Sequence, residues 1–145
     1  MADPALIQRI PPFKAEGSTN GLTSLVVGTF MRQGRLQPHI AELRRSYRAR
    51  RDTMQTALAA HMPEGVRWTR PQGGFFFWLT LPPRLDVERM TAAATDAGVV
   101  ALPGTTCFPD GRGSHHLRLS FSLESLDRLA EGVRRLAGAI RTGLG

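Results

Sequence analysis

His116-Leu117-Arg118-Leu119-Ser120-Phe121-Ser122 alternates strictly, with Leu117, Leu119 and Phe121 in one row and Arg118, Ser120 and Ser122 in the other. A period of two predicts a strand with one buried face. Before it, Pro103 to Gly113 reads as a long loop with two prolines and three glycines, and Val99 to Leu102 as a strand. Asp86 can cap a helix from Val87 to Ala97 that Gly98 terminates. Further back, Phe75 to Leu81 (FFFWLTL) is continuously apolar apart from Thr80, the pattern of a strand covered on both faces. Gly73-Gly74 and Pro82-Pro83 bound it, and Val66 to Thr69 supplies another short strand. After the alternating stretch, Leu126, Leu129, Val133, Leu136 and Ile140 define a closing amphipathic helix.

Toward the N-terminus the period changes to that of helices. Leu36, Ile40, Leu43, Tyr47, Met54 and Leu58 fall on one face of a helix running from Leu36 to Met62, with Arg44, Arg48, Arg51 and Gln55 on the other side. Gly21 to Met31 is an apolar helix, and Ala15 to Asn20 reads as a loop ending in a cap. A short apolar stretch between Pro4 and Lys14 is broken by Pro11-Pro12. The sum is two or three helices followed by ββαββα, an α+β fold with helices on one face of a small, mostly antiparallel sheet.

The chain has 145 residues, 41% hydrophobic and 21% charged, which suits a globular domain with its own core. No apolar run reaches the roughly 18 residues of a transmembrane helix, and the N-terminus has no signal-peptide pattern, so the expectation is a cytoplasmic protein. Nineteen basic against twelve acidic residues give a net charge of +7, and Lys14 is the one lysine among them. The densest basic run, Arg44 to Arg51, reads as a solvated helix face; neither stacking aromatics nor a zinc-finger spacing accompanies it, so a nucleic-acid partner is not expected. Cys107 stands alone, which excludes an internal disulfide and a cysteine-based zinc site and suggests a buried or inert thiol. His115 and His116 point to opposite faces of a strand, poor geometry for a shared metal, and no metal is expected.

Arg118 is the candidate binding residue. It lies mid-strand between small serines, and its planar fork matches a carboxylate in two hydrogen bonds while staying charged at ordinary pH. A half-exposed sheet arginine facing water gives the same pattern, so alternation alone leaves both readings open.

Four segments, Arg67 to Pro82 (RWTRPQGGFFFWLTLP), Ala97 to Phe108 (AGVVALPGTTCF), Leu117 to Ser122 (LRLSFS) and Glu131 to Leu136 (EGVRRL), together resemble the C-terminal part of class I/II aminotransferases. These are fold-type I pyridoxal-phosphate enzymes. The resemblance is nearest to the 2-aminoadipate and kynurenine or aromatic aminotransferases and to the aminotransferase-like half of MocR-type regulators. His39 to Asp52 fits the same group. The resemblance implies that residues 1–34 end the large, cofactor-binding domain and its connecting helices, and that 35–145 form the small domain that closes over substrate. It implies that Arg118 binds the substrate α-carboxylate, with Pro103, Gly104 and Phe108 lining the pocket. It further implies amino acid and 2-oxo acid substrates, pyridoxal 5'-phosphate as cofactor and a homodimer for the complete enzyme.

The family's Schiff-base lysine belongs to a motif absent from these 145 residues, and Lys14 matches a non-catalytic position. No catalytic and no cofactor-binding residue is therefore assigned, and the chain is expected to be inactive alone. Two other readings stand beside this one: the sensing half of a MocR-type regulator, and a free-standing basic binding module.

Overall fold

The structure, a computed structural model, describes residues 20–145. The expectations for the stretch around Pro11-Pro12, for Lys14 and for most of the following loop lie outside the described residues. The chain divides between Ala41 and Glu42 into two compact units.

In the first unit, α1 spans Gly21–Arg32. Asn20 caps it: the side-chain oxygen accepts from the Thr23 backbone N–H at 3.1 Å, satisfying one of the orphan donors of the first turn. None of its residues is buried, and Leu22, Leu25 and Val26 are exposed. Helix α2, Leu36–His61, begins in this unit and continues into the next.

The second unit contains the sheet. Strands β1 (Arg67–Trp68), β2 (Phe76–Thr80), β3 (Leu102–Pro103) and β4 (His116–Ser120) lie in the order β1-β2-β4-β3, every pair antiparallel. Helix α3 (Val87–Asp96) joins β2 to β3, and α4 (Leu126–Leu144) follows β4. Register between β2 and β4 sets Phe77 opposite Leu119 and Leu79 opposite Leu117, so these four share a face. That face meets Met54 and Leu58 of α2, Met90 of α3, and Val133, Leu136 and Ile140 of α4 in one continuous core. The α+β architecture and the ββαββα order expected from the sequence are present.

The caps follow the sequence. Asp86 accepts from the Arg89 N–H at 3.0 Å to start α3, and Gly98, at φ +70°, lies just past its end. Ser125 caps α4 by accepting from Arg128 N–H. On the exposed side of α4, the Glu131 carboxylate accepts from Arg134 and Arg135 at 2.6 and 2.7 Å. The hydrogen bonds from Arg134 and then Arg135 hold its pKa down at about 2, against 4.5 for a free carboxyl. A carboxyl depressed on folding stabilises the fold above its unfolded pKa and loses that contribution as pH falls. Acid unfolding of wild type should therefore show a salt-sensitive loss of stability between pH 4.5 and about 2 that Glu131→Gln lacks. Exposure keeps the effect small. Thermal melts across that range at low and high salt are the check.

Three local expectations change. FFFWLTL is covered on one face by the helices, not on two: Phe77 is fully buried, while Phe75 and Phe76 are 43% and 42% exposed. Among the described residues, Val99 to Ala101 carry no strand pairing, and the ladder begins only at Leu102, where β4 offers a partner. Gln55 and Arg51 do not simply face solvent. Gln55 accepts the Trp68 indole N–H at 3.2 Å, and both line a cavity with Arg70, Pro71, Gln72 and Phe77. In the basic run, Arg44, Arg45 and Arg48 are exposed, but Arg50 donates to the Ser122 carbonyl at 3.1 Å and ties α2 to the end of β4.

Candidate functional site

The outer face of the sheet carries the alternate residues of each strand. Cross-strand register sets Phe76 opposite Ser120, Trp78 opposite Arg118 and Thr80 opposite His116, with Leu102 of β3 opposite Arg118 on its other side. Arg118 therefore stands in the middle of this face, on a strand paired on both edges, which fixes its backbone firmly. Its guanidinium lies over the Phe76 ring, 4.2 Å from the centroid. The negative face of a ring attracts a guanidinium placed over it, and the N–H groups can still donate to a further partner. No carboxylate pairs with Arg118 among the described residues. A half-buried arginine without a carboxylate partner among the described residues has the chemistry to take an anion with two adjacent oxygens.

Aromatic rings continue the face beside Arg118. The Trp78 ring stacks on His116 at 5.4 Å and 29°, and Phe108 meets Trp78 edge-on at 5.9 Å. Arg112 lies over Phe108, 4.9 Å from its centroid. Phe108 is thus brought alongside Trp78, the direct neighbour of Arg118. Pro103 is placed differently: it pairs with Leu117, whose side chain faces the helices. Gly104 is buried in the 3-10 turn Gly104–Cys107. A Cβ there would lie 2.5 Å from the Gly113 carbonyl oxygen and 2.6 Å from His116 Cβ. Backbone cannot step aside cheaply, so Gly104 lets the loop close against β4 and hold Phe108 in place. Gly104→Ala is expected to lower stability by about 1–3 kcal/mol, the usual range for overpacking; urea denaturation checks it, with a disturbed Trp78 fluorescence marking the shifted loop.

Cys107 is exposed, not buried, with its sulfur 3.9 Å from the Thr106 hydroxyl. No group of three metal-ligating side chains occurs among the described residues. His115 and His116 each keep a buried Nδ1 without a hydrogen-bond partner among the described residues. Phe76 and Trp78 were hidden in the sequence inside the apolar run. What would have exposed them is the register with Arg118, which a single strand pattern does not contain.

Residues 2–136 match the family described as aminotransferase class I and II. The chain is 34% identical to aromatic-amino-acid aminotransferase 1 of Thermococcus litoralis over 142 residues, 97% of this chain and 34% of that protein. It is also 34% identical to 2-aminoadipate transaminase of Thermus thermophilus over 143 residues, 97% of this chain and 36% of the relative. Among solved structures, the kynurenine aminotransferase of Pyrococcus horikoshii superposes with a TM-score of 0.87 at 36% identity, covering 99% of this chain and 36% of that one. The chain thus spans about a third of the length of the relatives it matches. Among the described residues, no helix is long and apolar enough to cross a membrane.

Proposed function

The chain belongs to the class I and II aminotransferase family, and on that premise we propose that it is the substrate-side portion of an enzyme that moves an amino group between an amino acid and a 2-oxo acid. In this reading residues 35–145 are the small domain and 1–34 the end of the large one. Arg118 takes the substrate α-carboxylate, and Phe108 and the rings beside it border the site. The observation that carries the proposal is the guanidinium of Arg118, which lies over the Phe76 ring in the middle of the outer sheet face with no carboxylate partner among the described residues. Amino-group transfer needs the substrate's Cα held at one orientation while a proton moves there, and a two-point grip on the carboxylate supplies that. The complete enzyme is proposed to be a cytoplasmic homodimer.

Pyridoxal phosphate, the cofactor the resemblance implies, does not fit the residues described. Its anchorage needs a primary amine, and residues 20–145 contain no lysine. No step through the cofactor is assigned to this chain. Titrating the 145-residue chain with pyridoxal phosphate and reducing with borohydride is expected to leave no saturable adduct at a single site.

The test of the proposal is isotopic. The complete polypeptide carrying this segment, supplied with pyridoxal phosphate, a 15N-labelled amino acid and an unlabelled 2-oxo acid, should place the label in the amino acid formed from the oxo acid. Saturable binding of amino acid with no transfer of label would instead assign the parent to sensing, as in the MocR-type regulators.

A further inference from the structure

The β2–β4 ladder carries Arg118 in its middle and the ring beneath the guanidinium at one end. Pairing runs from Thr80–His116 to Phe76–Ser120, and the Phe121 N–H extends it by donating to the Phe75 carbonyl at 3.0 Å. Arg118 is opposite Trp78 but lies over Phe76, so its guanidinium depends on where this end of the ladder stands. The two strands do little to secure that end. On β2 it is entered through Gly73-Gly74, with Gly74 at φ +75°. Among the described residues, no atom lies within 4 Å of where a Cβ would stand on either glycine. On β4 the chain bends away after Phe121, and Leu123 is 83% exposed. A ladder end set between a glycine pair and an exposed bend is of the kind that opens locally.

Helix α2 grips both strands at this place. Tyr47 packs edge-on against Phe75, with ring centroids 4.9 Å apart. One turn later on the same helix face, Arg50 donates to the Ser122 carbonyl at 3.1 Å. The Arg50 guanidinium also lies 5.8 Å from the Tyr47 ring centroid, so the two side chains brace each other. Met54 and Leu58, further along α2, belong to the buried core and dock the helix on the sheet. Docking therefore does not need the Tyr47–Arg50 pair, and what the pair adds is definition at the ladder end.

We propose that Tyr47 and Arg50 are positioning residues for the Arg118 site. They hold the Phe75–Phe76 and Phe121–Ser122 ends together and thereby set where the Arg118 guanidinium stands. The inference rests on the reading of Arg118 as the carboxylate-binding residue. Neither positioning residue touches substrate. A two-point grip tolerates little displacement, and a ring that drifts lets the guanidinium over it drift as well.

A double-mutant cycle in the complete enzyme tests this. Arg50→Met keeps the aliphatic stem and removes the donor. It should lower kcat/KM for the amino acid about tenfold, chiefly through KM, the scale expected of a small misplacement. The preference for an amino acid over the amine lacking its carboxylate should fall by the same factor. Arg50→Lys, which can still donate to the carbonyl, should restore most of both. Tyr47→Leu, apolar but without a ring, should act in the same direction as Arg50→Met. In an Arg118→Ala background, Arg50→Met should change kcat/KM by less than about twofold, because nothing is left to position.

A purely structural role predicts instead that the Arg50→Met loss adds in full to that of Arg118→Ala. That result overturns the proposal. So does wild-type kcat/KM and carboxylate preference in folded Arg50→Met and Tyr47→Leu, or loss of the fold in both, which would assign the pair to the core. If Arg118→Ala itself leaves the carboxylate preference unchanged, the reading of Arg118 fails and this inference falls with it. A large Arg118→Ala effect beside a silent Arg50→Met overturns this inference alone.

Discussion

Replacing Arg118 with alanine in the complete enzyme is expected to lower kcat/KM for the amino acid by on the order of 10²–10³-fold, chiefly through KM. Two charge-assisted hydrogen bonds to one carboxylate, lost together from a half-buried site, correspond to about 3–4 kcal/mol. The carboxylate is gripped in both ground and transition states, which places most of the loss in KM. A smaller fall in kcat reflects the freedom the substrate regains. Arg118→Lys keeps the charge but not the planar fork, and should recover only part of the activity. The fold should survive, because Arg118 has no ion-pair partner to strand among the described residues and lies over a ring that is itself half-exposed. The discriminating measurement compares an amino acid with the amine that lacks its carboxylate. Wild type should prefer the amino acid strongly and Arg118→Ala hardly at all. An unchanged kcat/KM in a folded variant would remove Arg118 from the site.

The second large effect concerns the other face of the same strand pair. Phe77 is fully buried, edge-on to Phe121 with ring centroids 5.7 Å apart. Truncating it to alanine should cost about 3–5 kcal/mol, the range for a buried phenylalanine that leaves a cavity. Against a domain stability of about 5–15 kcal/mol, that is enough to bring the chain near unfolding at ordinary temperature. Phe76→Ala, one residue away, should cost well under half as much, because Phe76 is 42% exposed and touches the solvent side. Instead it should weaken substrate binding by freeing the Arg118 guanidinium. Guanidinium denaturation of the two variants side by side gives the answer: equal losses of stability would mean that the strand's two faces are not distinguished as described.

That pair of phenylalanines also shows where sequence reasoning stops. The alternation of Leu117, Arg118, Leu119, Ser120 and Phe121 was legible because polar and apolar residues take turns, and it yielded the strand and set Arg118 apart as a candidate, while leaving its role open. Gly98 and Asp86 were legible as punctuation because their chemistry at helix ends is local. FFFWLTL was not fully legible. An apolar residue looks the same in sequence whether helices, a substrate or another domain covers it, so Phe76 and Trp78 merged with the core. Val99 to Ala101 failed for a related reason: strand propensity is local, but a strand exists only where a partner supplies hydrogen bonds. Gly104 could be suspected of lining a pocket, yet its closeness to Gly113 and His116 is a tertiary fact that no spacing announces. Four segments in order, the arginine-bearing one among them, carried the family resemblance, and the structure added the rings beside Arg118.

The sheet order has a consequence for how the domain assembles. Strand β4 sits between β2 and β3 although it comes after both in the chain. The β1–β2 and β3–β4 pairs each close a short loop, whereas joining β2 to β4 requires closing a loop that contains all of α3, a slower and entropically costlier event. Two hairpin-like halves should therefore form early and independently, and the seam between Trp78 and Arg118 should be the last to close. The candidate binding surface would then come into being only when the whole domain has folded, so a chain that is synthesised incompletely or stalls midway presents no half-built site.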